Sequence, residues 1–240
     1  MDNILKIIRS RHSTRGAFDL TRPITKEVQD LILEGAQWAP TPTNMQNFDI
    51  VVVDAKEQLD AIGKVPADMS EQFLRETYAQ LSSSDTDLRE KKTGMLASSF
   101  PPAWTNPEAW DPESDYRSQL TFLDRAIGES PLLMFVLHDA TKRAPGSEGD
   151  PVGLISLGCV LENMWLVCES LQLGLHVLTV VSDGPVEQKL KDILHVPAHM
   201  KIAFTCSIGY AADPSASYTR VRRDLKDFVH YNNFACTARE

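Results

Sequence analysis

Apolar positions along the chain change spacing in a way that separates helices from strands. Ile4, Leu5, Ile7 and Ile8 fall on one face of a short N-terminal helix. Val28, Leu31, Ile32 and Ala36 repeat at the helical period after Thr25, which is able to cap, with Glu27 in the first turn and Pro40 at the end. Ile50–Val53 is an unbroken β-branched run between aspartates and predicts a strand buried on both faces. Leu59 and Ile62 support a short helix after it. In the mostly polar stretch 68–97, Leu74, Tyr78 and Leu81 share a helical face, Ser82–Asp85 predicts a break, and Leu88–Leu96 resumes the helix.

Further on, Leu132–Leu137 predicts a second strand, and Val152–Leu171 a long helix with so thin a polar face that most of its sides must be covered. Gly174 suits a helix stop. Val177–Val181 predicts a third strand, and Val186, Leu190 and Ile193 a helix ending before Pro197. Ile202, Phe204, Cys206 and Ile208 alternate with less apolar neighbours, so the fourth strand should have one apolar face. Leu225, Phe228 and Val229 make a last amphipathic turn. Residues 230–240 cannot form a core alone, and Tyr231 and Phe234 need a surface, which a second subunit would supply. With no internal repeat or clear boundary, the pattern predicts one domain over 1–240, of α/β or α+β class.

Residues 98–117 differ in kind: Phe100, Pro101, Pro102, Trp104, Pro107, Trp110, Pro112 and Tyr116 crowd one irregular segment. Such a segment either packs on the body or forms a lid with aromatic walls. Composition narrows the setting. With 240 residues and 42% hydrophobic content the chain can bury a sizeable core, and a net charge of -9 argues against nucleic acid as a partner. Cys159, Cys168, Cys206 and Cys236 form no CxxC pair, and the histidines no spaced cluster, so no metal site is expected. No stretch reads as long and apolar enough to span a bilayer, and Asp2 and Lys6 break any signal-peptide pattern. A cytoplasmic protein with no membrane partner is the expectation.

Candidate chemistry centres on Arg11-His12-Ser13-Thr14-Arg15. Two guanidinium groups and a hydroxyl are strong donors to an anion, although arginines also pair with carboxylates and such a run is often a solvated patch. A second candidate is Ala39-Pro40-Thr41-Pro42-Thr43-Asn44-Met45-Gln46, held out of regular structure by two prolines; Asn44 there either meets a ligand or caps a turn. Apart from Ser13 no serine is placed as a nucleophile, and no GxGxxG fingerprint is present.

In order and spacing these stretches resemble the nitroreductase family of FMN-dependent oxidoreductases. The first is similar to the family's N-terminal flavin-phosphate motif, and the second to the loop before its first strand, with Gln46-Asn47-Phe48 where Gln-Pro-Trp is usual. Leu171-Gln172-Leu173-Gly174-Leu175 resembles the end of the family's long helix. Ile208-Gly209-Tyr210 and Arg222–His230 resemble its C-terminal motifs. The resemblance implies an α+β fold of sandwich-like layers: a central mixed, largely antiparallel sheet flanked by helices, dimeric, with the C-terminal tail reaching the partner and a variable lid-like insertion at about 64–130. It also implies a homodimer with FMN at the interface. Arg11, Ser13 and Arg222 would hold the phosphate, His12 would serve through its backbone, and Arg15 would lie nearer the ribityl chain and the N1/O2 edge. Pro40, Thr41 and Asn44 would touch the FMN of the other subunit, and backbone groups at Val181 and Ser182 would approach N5/O4. No side chain acts as a catalytic acid or base.

The implied reaction moves a hydride from NADH or NADPH through flavin N5 to a nitroaromatic, quinone or other conjugated acceptor. Alternatives are a specialised member of the family (dehalogenase, ring dehydrogenase or flavin-fragmenting enzyme), a flavin-binding protein without turnover, or a phosphate-ligand sensor that binds no flavin.

Overall fold

The computed structural model describes residues 2–15, 17–67, 76–100, 105–106, 108, 123, 130–182, 184–213 and 219–235. In chain order the elements are α1 (Asp2–Ser10), α2 (Lys26–Gln37), β1 (Asp49–Val53), α3 (Lys56–Gly63), β2 (Ser82–Ser83), α4 (Asp85–Lys91) and β3 (Met95–Leu96). They continue with β4 (Leu132–Asp139), α5 (Pro151–Ser170), β5 (Gly174–Leu178), α6 (Gly184–Leu194) and β6 (Met200–Gly209). Two compact units result: Met1–Ala67 with Leu120–Pro214, and Asp68–Gln119 with Ser215–Glu240.

The first unit is layered on a four-stranded sheet in the order β1-β4-β6-β5, antiparallel at every step. β4 explains the layering. Its apolar run puts Leu132, Met134 and Val136 on one face and Leu133, Phe135 and Leu137 on the other, all buried. The first face packs on Ile32 and Ala36 of α2 and on Leu157, Val160, Met164 and Cys168 of α5. The second packs on Ile62 of α3 and on Val186 and Leu190 of α6. The architecture is therefore α+β, with helices on both faces of an antiparallel sheet.

Four local departures from the sequence reading have physical causes. Ile202 does not share a face with Phe204, Cys206 and Ile208: a bulge in the β4–β6 ladder passes over Ala203 and turns Ile202 to the opposite core. The strand expected at Val177–Val181 begins earlier, at Gly174, because pairing starts at Gly174 with Gly209. Gln172, with φ 60°, makes the left-handed helix exit instead of Gly174. Finally, α4 stops at Lys92 (φ 55°) instead of continuing to Leu96, and Gly94 (φ 90°) leads into β3, which runs parallel to β2.

Helix α5 also corrects the membrane argument: its 20 residues are long and apolar enough to cross a bilayer by length and composition alone. Here it packs on the sheet and on α2, while Val152, Leu154 and Ile155 stay uncovered.

The second unit carries the β2–β3 pair and α4, whose first turn is capped by Ser84 accepting from the Asp87 amide at 3.1 Å. Lys92 pairs with Asp224 at 2.6 Å, which ties this region to the C-terminal segment within the same unit. Tyr78 and Phe100 stack at a tilt, 5.0 Å between centroids. Leu74 and the aromatic and proline residues Pro101, Pro102, Trp104, Pro107, Trp110, Pro112 and Tyr116 lie outside the described residues, as does Cys236.

Candidate functional site

Residues 11–15 and 17–22 follow α1 and are laid along the ends of β5 and β6 by backbone bonds. The Thr14 amide donates to the Leu175 carbonyl at 3.0 Å, and Ser13 forms an isolated parallel bridge with Leu175. Further on, Asp19 donates to Tyr210, Ala212 donates to Ala17, and the Arg22 guanidinium sits 3.4 Å from the Tyr210 ring centroid. Gly174 makes the close approach possible. A Cβ there would lie 2.6 Å from Thr14 Oγ1 and 2.9 Å from Thr14 Cβ. Ser13 and Arg15 flank the buried Thr14, so their directions follow from that contact.

Arg11 and His12 are set by α5. The Arg11 guanidinium lies over the Trp165 ring at 4.6 Å, with Nε 3.5 Å from Glu162. At that length and partial exposure the ion pair contributes little energy, and its role is orientation. Trp165 Nε1 donates to the His12 carbonyl at 3.2 Å, and His12 Nδ1 lies 3.1 Å from the Ser10 carbonyl. Across β5 from the Thr14 contact, His176 is held neutral: burial, and then the charge of Arg15, push its pKa down to about 4.

The loop after α2 is the most strained segment of the first unit. Thr43 (φ 48°), Asn44 (φ 56°) and Gln46 (φ 48°) are all left-handed without being glycine. Each such residue costs on the order of 1–2 kcal/mol, less for asparagine, and clusters of them accompany functional sites. Thr41 Oγ1 accepts from the Gln46 amide and Asn44 Oδ1 from Gln46 Nε2, which pins the loop. Pro40 and Asn44 are exposed and Thr41 is half-buried. Asn47 then grips β4: its Nδ2 donates to the Asp139 carbonyl and its Oδ1 accepts from the Asp139 amide, both at 3.1 Å.

At the far end of β5 the chain turns tightly through Val180–Ser182. Val181 is fully buried, while Ser182 is exposed and spends both its amide and its hydroxyl on the Thr179 carbonyl, at 3.0 and 2.6 Å. Arg222 belongs to the second unit, where its Nη1 donates to the Val221 carbonyl.

Within the first unit the structure thus gathers Arg11, His12, Ser13 and Arg15 around the C-terminal half of α5 and the start of β5. It sets the Pro40–Asn44 loop apart from them, because Pro42 and Met45 line a cleft with Leu154 and Leu157 near the N-terminus of α5. From Leu154 to Trp165 is eleven residues, about 16 Å of helix. Sequence reasoning missed Trp165 and Glu162 as partners of Arg11, His176 as a neighbour of Arg15, and Asn47 as the tie to β4. Only the i, i+3 spacing of Glu162 and Trp165 was a visible signal, placing both on one stripe of the helix.

A family model described as Nitroreductase family matches residues 8–210. Among solved structures, a variant of the FMN- and NADPH-dependent nitroreductase NfnB from sphigopyxis sp. strain HMH is 16% identical, with 97% of this chain and 100% of that one covered and a TM-score of 0.67. Iodotyrosine deiodinase bound to FMN and 3-iodo-L-tyrosine is 18% identical, covering 96% and 100% with a TM-score of 0.61. A nitroreductase with bound FMN from Bacteroides fragilis NCTC 9343 is 19% identical, covering 93% and 96% with a TM-score of 0.57. No curated protein matches the chain.

Proposed function

The chain belongs to the nitroreductase family, and on that premise we propose that it is a homodimeric FMN-dependent oxidoreductase. It takes reducing equivalents from NADPH or NADH and delivers them to a nitroaromatic, a quinone or another conjugated acceptor. FMN, when bound, supplies the redox chemistry itself; the protein supplies binding, orientation and fixed charge.

The residues present fit that cofactor. Arg11 and Ser13 offer a guanidinium and a hydroxyl to a phosphate dianion, and Arg15 adds a second positive charge on the same strand-anchored segment. Gly174 lets that segment lie tight against β5, so the charges are held before any ligand arrives, which is the preorganisation that makes them effective. The neutral His176 adds no competing proton beside Arg15 above about pH 4.

One observation carries the dimeric reading. The two groups of candidate residues meet α5 towards opposite ends, near Leu154 and at Trp165, about 16 Å apart along the helix axis, so one chain does not bring them side by side. A two-fold partner that brings its Pro40–Asn44 loop to this chain's Arg11–Arg15 segment closes that gap. The apolar residues left uncovered on α1, just past the end of α2, and on α5 supply a surface for it: Ile4 is 58% exposed, Trp38 77% and Ile155 62%.

The test is anaerobic addition of NADPH, and separately NADH, to the FMN-loaded protein. Bleaching of the visible flavin band, reversed by a quinone, is the expected result and identifies the donor. A flavin band that neither nucleotide bleaches contradicts the oxidoreductase reading.

A further inference from the structure

Strand β5 reads Gly174-Leu175-His176-Val177-Leu178, with His176 as its polar side chain. The order β1-β4-β6-β5 puts this strand at the edge of the four-stranded sheet. Alternation sets Gly174, His176 and Leu178 on one face, opposite Gly209, Ser207 and Thr205 of β6. The two ends of that row differ. Leu178 joins the apolar cluster of Val181, Leu190 and Ile202. At the other end stand two glycines, and Thr14 and the Phe18 ring pack where their Cβ atoms would be. His176 lies between these ends, half-buried and paired across the strands with Ser207.

A histidine kept for packing usually spends a ring nitrogen on a neighbour. His176 has no hydrogen-bond partner among the described residues, and neither nitrogen counts among the polar atoms buried without one. The ring is left to a group from outside. Burial, and then the charge of Arg15, keep it neutral down to about pH 4. A neutral imidazole offers one donor and one acceptor. That combination suits an alcohol, which also both gives and takes a hydrogen bond, better than a phosphate or carboxylate, which when ionised only accepts.

Position selects the alcohol. Ser13 bridges to Leu175, the residue before His176, and Val181 lies past the far end of the strand. A flavin with its phosphate at Ser13 and its ring edge at Val181 would lay its ribityl hydroxyls along β5, where His176 is the polar side chain between the two. We propose that His176 is a further FMN-binding residue, its imidazole hydrogen-bonded to a ribityl hydroxyl next to Arg15. This assignment rests on the FMN reading above and adds to it a residue that lies in neither the Arg11–Arg15 nor the Pro40–Asn44 stretch.

The test uses the full-length, flavin-free protein carrying nitrogen-labelled histidine, with the His176 signals assigned through His176→Phe. Near neutral pH, added FMN should move the His176 ring nitrogen resonances, whereas inorganic phosphate, which can fill only the anion position, should leave them in place. FMN affinity, read from flavin fluorescence, should fall about tenfold in His176→Phe, the effect of losing one hydrogen-bonding partner. His176→Gln keeps a donor and an acceptor and should recover part of that loss, which a purely packing role would not allow. Three results with FMN bound would overturn this inference alone: His176 resonances that FMN does not move, resonances that phosphate moves as far as FMN does, or wild-type FMN affinity in His176→Phe. A wild-type chain that takes up no FMN in the same titration would overturn the cofactor reading and this inference with it.

Discussion

Gly174→Ala is the perturbation through which the structure makes its sharpest demand. The new methyl carbon would lie 2.6 Å from Thr14 Oγ1, 2.8 Å from Thr14 Cγ2 and 2.9 Å from Thr14 Cβ, all well inside normal contact. Thr14 is buried and its amide is bonded to Leu175, so its Cβ cannot swing away without moving the backbone that carries Ser13 and Arg15. Overpacking of this kind costs about 1–3 kcal/mol. Part of that should appear as lost stability, at about 2–4 °C of Tm per kcal/mol for a chain of this size, and part as weaker FMN binding, at tenfold per 1.4 kcal/mol. The assay is paired: thermal unfolding of the FMN-free protein, and FMN affinity by flavin fluorescence. Gly158→Ala is the control, since nothing lies within 4 Å of a Cβ there and alanine favours a helix. Adding Thr14→Ala removes the two shortest contacts and should recover part of both losses. Gly174→Ala with unchanged Tm and unchanged FMN affinity would refute the argument that this contact sets Ser13 and Arg15.

Asn47→Ala leaves the amide and carbonyl of Asp139 without their partners and should destabilise the first unit by about 1–3 kcal/mol in urea unfolding. The Asp139 carboxyl is held down to about 2, first by the Thr141 hydroxyl and then by the Thr141 amide. Because the folded state prefers the carboxylate, that stabilisation is complete above about pH 4 and is lost as pH falls towards about 2. Stability measured against pH should therefore fall more steeply in that window than in Asp139→Asn. The His176 ring should show no protonation by NMR until about pH 4, and Arg15→Ala should raise that value without restoring an ordinary histidine, because burial is the larger cause. Burial pushes the Cys168 thiol up to about 12 and the Cys206 thiol well above its ordinary value, so among the described cysteines Cys159 should react first with a disulfide reagent, the other two only on unfolding.

Much of this architecture is legible in the chain because it depends on local pattern. The run Leu132–Leu137 is apolar at every position, and that alone requires cover on both faces of the strand, which α2, α5, α3 and α6 provide. What escapes is set by partners distant in sequence. Nothing near Ala203 announces a bulge; it follows from the register between β4 and β6. Trp165 donates to His12 across 153 residues, a pairing that no window of sequence contains. The loop after α2 divides the same way. Its prolines mark irregular backbone, and Asn44 is a natural left-handed residue, whereas nothing in the residue types marks Thr43 and Gln46 as left-handed, and Gln46 is held there by its bonds to Thr41 and Asn44. Gly174 shows how one residue can suggest a helix stop by type and serve instead as the gap into which Thr14 packs.

The central claim is that one flavin is held jointly by two copies of this chain. The most direct measurement is size-exclusion chromatography of the protein after incubation with FMN, recording mass by light scattering and the visible flavin band in the same peak. The account predicts a dimer carrying one FMN per chain, and loss of the band without loss of the dimer in Arg11→Ala. A monomer that keeps its FMN, or a dimer that elutes without flavin, would contradict it.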